Sequence, residues 1–203
     1  MQFRLFFPPS ILAVGRASFP SATAAALSLA VFAGATTATA TAPADSKSAA
    51  VAKELSQALS AGKLDGMAAA DPSAPGTFVA AIFVPGAQLL VVSARYAAPP
   101  LLLDKINSRD YRGLYMDLHS AGIPGSRVFV QDQGADGLIW RPEANQGIDT
   151  WEENDKAMAF NGAWKRSKMS EADYTKAFIA ADERYAKLLA LLLAQANLKR
   201  SSD

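Results

Sequence analysis

Apolar residues run without a charge over residues 77–94, a stretch of eighteen that is about the length of a membrane span. Pro85 and Gly86 interrupt its middle, where a spanning helix would lose a backbone hydrogen bond and gain a flexible residue. The two halves are rich in Phe, Val and Ile and have the lengths of strands. The pattern therefore predicts a β-hairpin of strands 77–84 and 88–95, with no membrane span in the mature chain.

Strand 77–84 has no polar face. Phe78 and Ile82 would point to one side of a sheet, while Val79 and Phe83 would point to the other. A strand that is apolar on both sides lies within a sheet covered on both faces, or in a barrel packed from outside. Alternation of apolar and polar residues predicts two further strands, over 113–119 and 126–132.

Helical spacing of apolar residues occurs near both ends of the mature chain. It predicts a first helix from Asp45 to Leu64, and a long last helix that follows Ser170, whose side chain suits an N-cap. A short helix is predicted over 101–111, behind two prolines. The last helix ends in LLALLLAQA, residues 188–196, which requires cover from the sheet, the first helix or a second copy of the chain in a homodimer. The predicted fold class is α+β, with an antiparallel sheet or small split barrel and a helix at each end.

Residues 138–169 are the least regular part of the chain and contain all three tryptophans. Asn161-Gly162 is a strong turn signal and predicts a small hairpin around this pair. Tryptophans in such a segment could line an aromatic pocket, but they more often anchor the segment to the core.

The first 44 residues have the composition of a secretory signal. Arg4 and Arg16 precede the apolar segment 24–35, and no acidic residue occurs before Asp45. We therefore predict that residues 1–44 are a cleaved signal with a small-residue tract, and that 45–203 form one globular domain in the periplasm or outside the cell. An organelle-targeting peptide is the alternative, because it has a similar composition.

Charge and cysteine content exclude several classes of function. Removal of the leader lowers the 20 Lys and Arg to 18, against 19 Asp and Glu, for a formal net charge of −1. This balance argues against nucleic acid as a partner, since nucleic acid requires a strongly basic face. With no cysteine and one histidine, the chain lacks the residues for thiol catalysis and for the common Cys/His zinc sites.

Two weak catalytic or metal motifs remain. Asp132 and Asp136 flank Gly134 but lack the spacing of a calcium loop, so we interpret them as solvated turn carboxylates. Asp117 and His119 would share one face of the predicted strand 113–119, although residues two apart stand too far from each other for a direct hydrogen bond. We interpret this face as polar and exposed to water.

Three residues at the end of the second apolar strand are better candidates for binding. Ser93, Arg95 and Tyr96 mark the point where an apolar strand becomes polar, which often opens onto a ligand cleft. Arg95 could bind a phosphate or carboxylate, or could instead pair with Asp104 or Asp110. Lys165 and Arg166 form a second candidate anion site just before the last helix, although solvated charges are the simpler interpretation.

The order of strand, hairpin, strand, short helix and two strands over about residues 76–137 resembles the flavin-binding split barrel of the pyridoxamine-phosphate-oxidase type. That resemblance implies a flavin mononucleotide whose phosphate would contact Ser93 and Arg95, with Lys165 or Arg166 as a further anion contact. Pro99-Pro100 stands where the family has polar residues.

Two functions follow as hypotheses. No complete catalytic constellation is present in the sequence, which favours an exported, non-enzymatic binding or interaction module for a small anionic ligand or a protein partner. The alternative is the flavin-dependent oxidoreductase that the resemblance implies.

Overall fold

The computed structural model describes residues 46–85, 88–98, 111–140, 147–160 and 169–200, which form three helices and six strands. In chain order the elements are α1 (Lys47–Ala61), β1 (Gly66–Ala70), β2 (Thr77–Val84), β3 (Gln88–Tyr96), α2 (Tyr111–Ala121), β4 (Gly122–Gln133), β5 (Asp149–Glu153), β6 (Lys156–Phe160) and α3 (Glu171–Arg200). The predicted signal segment 1–44 and all but the last residue of the predicted helix 101–111 lie outside the described residues.

The six strands form one open sheet in the order β1 to β6, and every neighbouring pair is antiparallel. Helices α1 and α3 stand at the two ends of the described chain, so the predicted α+β class is confirmed in its antiparallel-sheet form. Each strand pairs with its neighbour in sequence, and only α2 interrupts the order, between β3 and β4.

The apolar segment 77–94 forms the predicted hairpin. Strands β2 and β3 pair from Thr77 opposite Arg95 to Val84 opposite Gln88. Within the described part of the chain, no helix combines the length and the apolarity needed to cross a bilayer.

Both faces of the hairpin are buried, as the two-sided apolar pattern of β2 predicts. Val79 and Phe83 belong to a large core between the sheet and the helices α1 and α3, whereas Ile82 belongs to a smaller core beneath α2. The burial is nearly complete on each side, since Val79 is 0% and Ile82 2% exposed. The sheet is therefore the middle layer of the protein at this hairpin.

The predicted strand 113–119 is wrong, because these residues lie in helix α2. Tyr111, Leu114, Tyr115 and Leu118 recur at helical spacing and all pack toward the smaller core. Met116 would be apolar and inward in a strand, but it is 69% exposed. The alternation of Leu114, Met116 and Leu118 is therefore incidental. The spacing of Tyr111 and Tyr115 with the two leucines is the helical period that the structure shows.

Three strands were not predicted: β1, β5 and β6. The last two form a hairpin in the region interpreted as irregular, with its turn at Asn154 and Asp155 rather than around Asn161-Gly162, which lies outside the described residues. Both turn residues have positive φ, 50° and 63°, as a two-residue hairpin turn of the I′ type requires. Asn and Asp tolerate this conformation better than most residues do.

Helix α3 begins where its cap predicts. The Ser170 hydroxyl accepts a bond from the Asp173 N–H at 3.1 Å and donates to the Asp173 carboxylate at 2.6 Å. The apolar end of α3 is covered by the sheet and by α1, because Leu189 and Leu192 are both 0% exposed within the large core. Two of the three predicted covers are therefore observed.

One carboxylate joins α3 to the start of α1. Asp182 is 5% exposed and accepts four hydrogen bonds: from the N–H groups of Lys47 and Ser48, and from the hydroxyls of Ser46 and Ser48. Ser48 in turn accepts a bond from the N–H of Leu138 at 2.9 Å. Since the first turn of a helix has free N–H groups, Asp182 acts as an N-cap supplied by another helix.

Candidate ligand-binding site

A cleft of about 840 Å³ lies between the second half of α3 and one end of the sheet. Four chain segments of the sheet meet there: the β1–β2 connection, the end of β3, the start of β4 and the β5–β6 turn. The volume falls within the range of small-molecule sites.

Ser93 supplies a buried polar group to this cleft. It continues the row of Leu89 and Val91 on the side of β3 that faces α1 and α3, and it is 6% exposed. Within the described part of the chain its hydroxyl makes no hydrogen bond. Because this hydroxyl lines the cleft and is not used within the protein, it can donate a hydrogen bond to a bound molecule or water, or accept one from it.

Three further hydroxyl residues, Ser73, Thr77 and Ser126, line the same cleft. Asp71 also lines it, but its Oδ1 already accepts bonds from the N–H and hydroxyl of Ser73 at 2.9 and 2.6 Å. Through these two bonds the Asp71 carboxylate stabilises the turn in the β1–β2 connection.

Two cations of α3 face the cleft, and they differ in what they contact. The Arg184 guanidinium donates to the Glu153 carboxylate at the β5–β6 turn. Lys187 lies one turn further along α3, and among the described residues no carboxylate is within ion-pair distance of its ammonium group. Lys187 is therefore a positive charge available to a ligand.

The candidate binding residues of the sequence separate in space. Arg95 is exposed at the end of β3, on the same side as Ser93 but outside the cleft lining. Tyr96 points to the opposite face, where its hydroxyl donates to the carbonyl of Leu118 at 3.2 Å and burial raises its pKa to about 12. Lys165 and Arg166 lie outside the described residues, as do Asp104 and Asp110.

The expected face shared by Asp117 and His119 does not exist, because both residues are on helix α2. Residues two apart on a helix point in directions about 200° apart. The His119 ring stacks on Phe129, with ring centroids 3.6 Å apart, and Asp117 is exposed.

The interpretation of Asp132 as a solvated turn carboxylate is wrong. Asp132 is 0% exposed and accepts bonds from the N–H groups of Asp136 and Gly137 and from the Tyr185 hydroxyl. Asp149, 2% exposed, accepts bonds from the N–H groups of Gln133 and Ile139. The two carboxylates hold the segment after β4 against the sheet and α3.

Burial and hydrogen bonding act in opposite directions on these two acids. Burial raises the pKa of Asp132 to about 6, although the bonds from Gly137 and Tyr185 favour the charged form. Burial, and then repulsion from Asp132, raise the pKa of Asp149 to about 7. Neither residue lines the cleft. In the described part of the chain no group of His, Cys, Asp or Glu side chains is arranged to hold a metal ion.

Two of the three tryptophans anchor their segment to the core, as predicted. Trp140 and Trp151 are each 5% exposed in the large core, and Trp140 packs edge-on against Phe178. Trp164 lies outside the described residues.

Comparison with protein-family models, with curated proteins and with solved structures found no match to this chain. The resemblance to the flavin-binding split barrel therefore stays a prediction.

Proposed function

We propose that this chain is an exported, non-enzymatic module that binds a small ligand in the cleft between α3 and the sheet. The observation that carries the proposal is the side chain of Ser93, which lines a cleft of about 840 Å³ and makes no hydrogen bond within the described structure. A hydroxyl that lines a concave site and is not used within the protein can orient a bound molecule by a hydrogen bond.

The arrangement of the acidic residues supports binding rather than catalysis. The two carboxylates with the most strongly raised pKa values, Asp132 and Asp149, use their oxygens to hold backbone N–H groups beneath the surface. A general acid or base must instead reach the substrate. The groups that reach the cleft are hydroxyls, two cations and two engaged carboxylates, which suit recognition.

Nuclear magnetic resonance of the labelled full chain tests this function. Benzoate, octanoate, inorganic phosphate and flavin mononucleotide are added one at a time, and we expect at least one to shift the amide signals of Thr77, Ser93 and Ser126 together. Ser93→Ala, which removes the hydroxyl, should weaken that binding roughly fivefold, the value of one hydrogen bond. The matched control, Ser60→Ala, removes the hydroxyl of an exposed serine of α1 outside the cleft.

The proposal fails if none of the four compounds shifts these signals, or if the shifts are scattered evenly over the surface. Preferential binding of flavin mononucleotide, with a yellow protein whose colour Arg95→Ala removes, would replace the proposal by the oxidoreductase alternative. A protein partner in place of a small ligand would leave the cleft signals unchanged by all four compounds.

Export is part of the same proposal and rests on the acid-free, alanine-rich leader. The mature protein should begin near Thr41 or Asp45. Intact-mass measurement of protein expressed in its native setting checks this prediction, and a mature chain that retains Met1 would contradict it. A chain targeted to an organelle would lose its leader as well, so cell fractionation separates the two destinations.

A further inference from the structure

The side of α3 that faces the cleft changes character along the helix axis. Its lining residues recur at spacings of three or four, which places them on one stripe of the helix. They are Arg184, Lys187, Leu188, Ala190, Leu191 and Ala194. The stripe begins with two cations and continues as an apolar wall, from Leu188 to Ala194, about 9 Å long at the rise of an α-helix.

The charges around the cleft leave one cation for a ligand. Arg184 is bonded to Glu153, and Asp71 is bonded to Ser73. The nearest acidic residue on the same helix, Glu183, has its pKa lowered chiefly by a hydrogen bond from Lys47 and less by Lys187. Lys187 therefore interacts electrostatically with the Glu183 carboxylate at a distance, but it forms no ion pair with it in the described structure.

We propose that the ligand is a small amphipathic anion, with one acidic head group beside Lys187 and Ser93 and an aliphatic tail along Leu188, Leu191 and Ala194. This inference rests on the proposed function and specifies its ligand. The hydroxyl of Ser93 and the ammonium of Lys187, both in the cleft lining, can donate to a carboxylate or a similar monoanion. The apolar wall gains from covering a tail, because each aliphatic group removed from water adds to the affinity.

Three probes separate the two halves of the ligand: octanoate has head and tail, octanol lacks the charge, and acetate lacks the tail. Each is titrated into the labelled full chain, below the concentration at which octanoate forms micelles, and the amide signals of Thr77, Ser93 and Ser126 are followed. Because the signals come from the cleft itself, binding elsewhere on the chain does not enter the measurement. We expect octanoate to bind at least tenfold more tightly than either octanol or acetate.

Two variants then test the residues. Lys187→Gln removes the charge and leaves a polar side chain one atom shorter, and should weaken octanoate binding roughly tenfold while leaving octanol binding unchanged. Leu191→Asn should weaken octanoate and octanol alike, because it makes the wall polar. The matched control is Lys176→Gln, which removes the same charge from an exposed position of α3 outside the cleft and should change neither affinity.

Equal octanoate affinity in wild type and Lys187→Gln would overturn the anionic head, and equal binding of octanoate and acetate would overturn the tail. Either result, with cleft signals still shifted by a probe, leaves the binding function standing and refutes only the assigned ligand class. If octanoate shifts no cleft signal, the ligand class is refuted, and the other three compounds decide the function.

Discussion

Replacement of Asp182 by alanine should lower the free energy of unfolding by roughly 3 to 5 kcal/mol, because a buried acceptor of four bonds is lost at once. Two of these bonds come from the N–H groups of Lys47 and Ser48 at the start of helix α1. The other two come from the hydroxyls of Ser46 and Ser48. Ser48 is 0% exposed, so water cannot replace the lost acceptor without rearrangement. The substitution should also loosen the segment at Leu138, whose N–H donates to Ser48.

Glu183→Ala is the matched control for this prediction. Glu183 follows Asp182 directly and also contacts the start of α1, but its ion pair with Lys47 is exposed to solvent. We expect the control to leave the melting temperature almost unchanged. Urea unfolding followed by circular dichroism measures both variants, and equal midpoints for Asp182→Ala and Glu183→Ala would show that the buried bonds do not join the two helices.

The protein should become less stable as the pH rises from 5 to 8, since the fold favours the protonated forms of Asp132 and Asp149. Burial raises their pKa values to about 6 and about 7, whereas the ordinary value is 3.8. Groups with a raised pKa stabilise the fold fully below about pH 4, and this contribution is lost as the pH rises through 6 to 7. A shift of about two units, as for Asp132, corresponds to about 3 kcal/mol.

The ionisable groups that face this pair come from the segment after β4 and from helix α3. Asp136 follows β4 and has its own pKa raised by burial, and Tyr185 of α3 donates to Asp132 and has its pKa raised by burial and by the two acids. Among the described neighbours that affect these pKa values no cation occurs. The ionised state therefore places negative charge next to negative charge without a compensating partner.

Melting temperatures measured from pH 5 to 8 at constant ionic strength check this prediction. Asp149→Asn removes one of the two charges and should flatten the pH dependence, even though its amide group fits the two backbone donors less well and lowers stability overall. The test compares how steeply the melting temperature changes with pH in wild type and in Asp149→Asn, and not how stable each protein is. A wild-type melting temperature that stays level or rises over this interval would contradict the assignment.

The elements that sequence analysis predicted well are those with an unambiguous period. Strands β2 and β3 have two apolar faces and a clear break at Pro85, and α3 has a long run of helical spacing after a capping serine. Three alternating apolar residues predict a strand where helix α2 lies, although Tyr111 and Tyr115 fit the helical spacing that the structure shows. A short segment can fit both the helical and the strand period, and its contacts in the folded protein then determine which of the two structures forms.

The site was predictable in part. Ser93 was found at the right place, where an apolar strand becomes polar, but Lys187 and Arg184 sit on a long helix where charges are usually solvated. Only the position of the β1–β2 connection and the β5–β6 turn gives them a role, and neither turn was predicted. The burial of Asp132 had a signal: it continues the inward row of Val128 and Val130 on β4.

The linear strand order also determines how much conformational entropy the chain loses when each contact forms during folding. Sheet pairing in this protein joins neighbours in sequence, so most of it requires short loop closures. The bonds between Ser48 and Asp182 instead span 134 positions. The entropic cost of such a closure grows only with the logarithm of loop length, by about 0.6 kcal/mol for each doubling. Once the sheet has formed, most of the 134 positions between Ser48 and Asp182 are already ordered. The contact between α1 and α3 then closes a much shorter flexible loop.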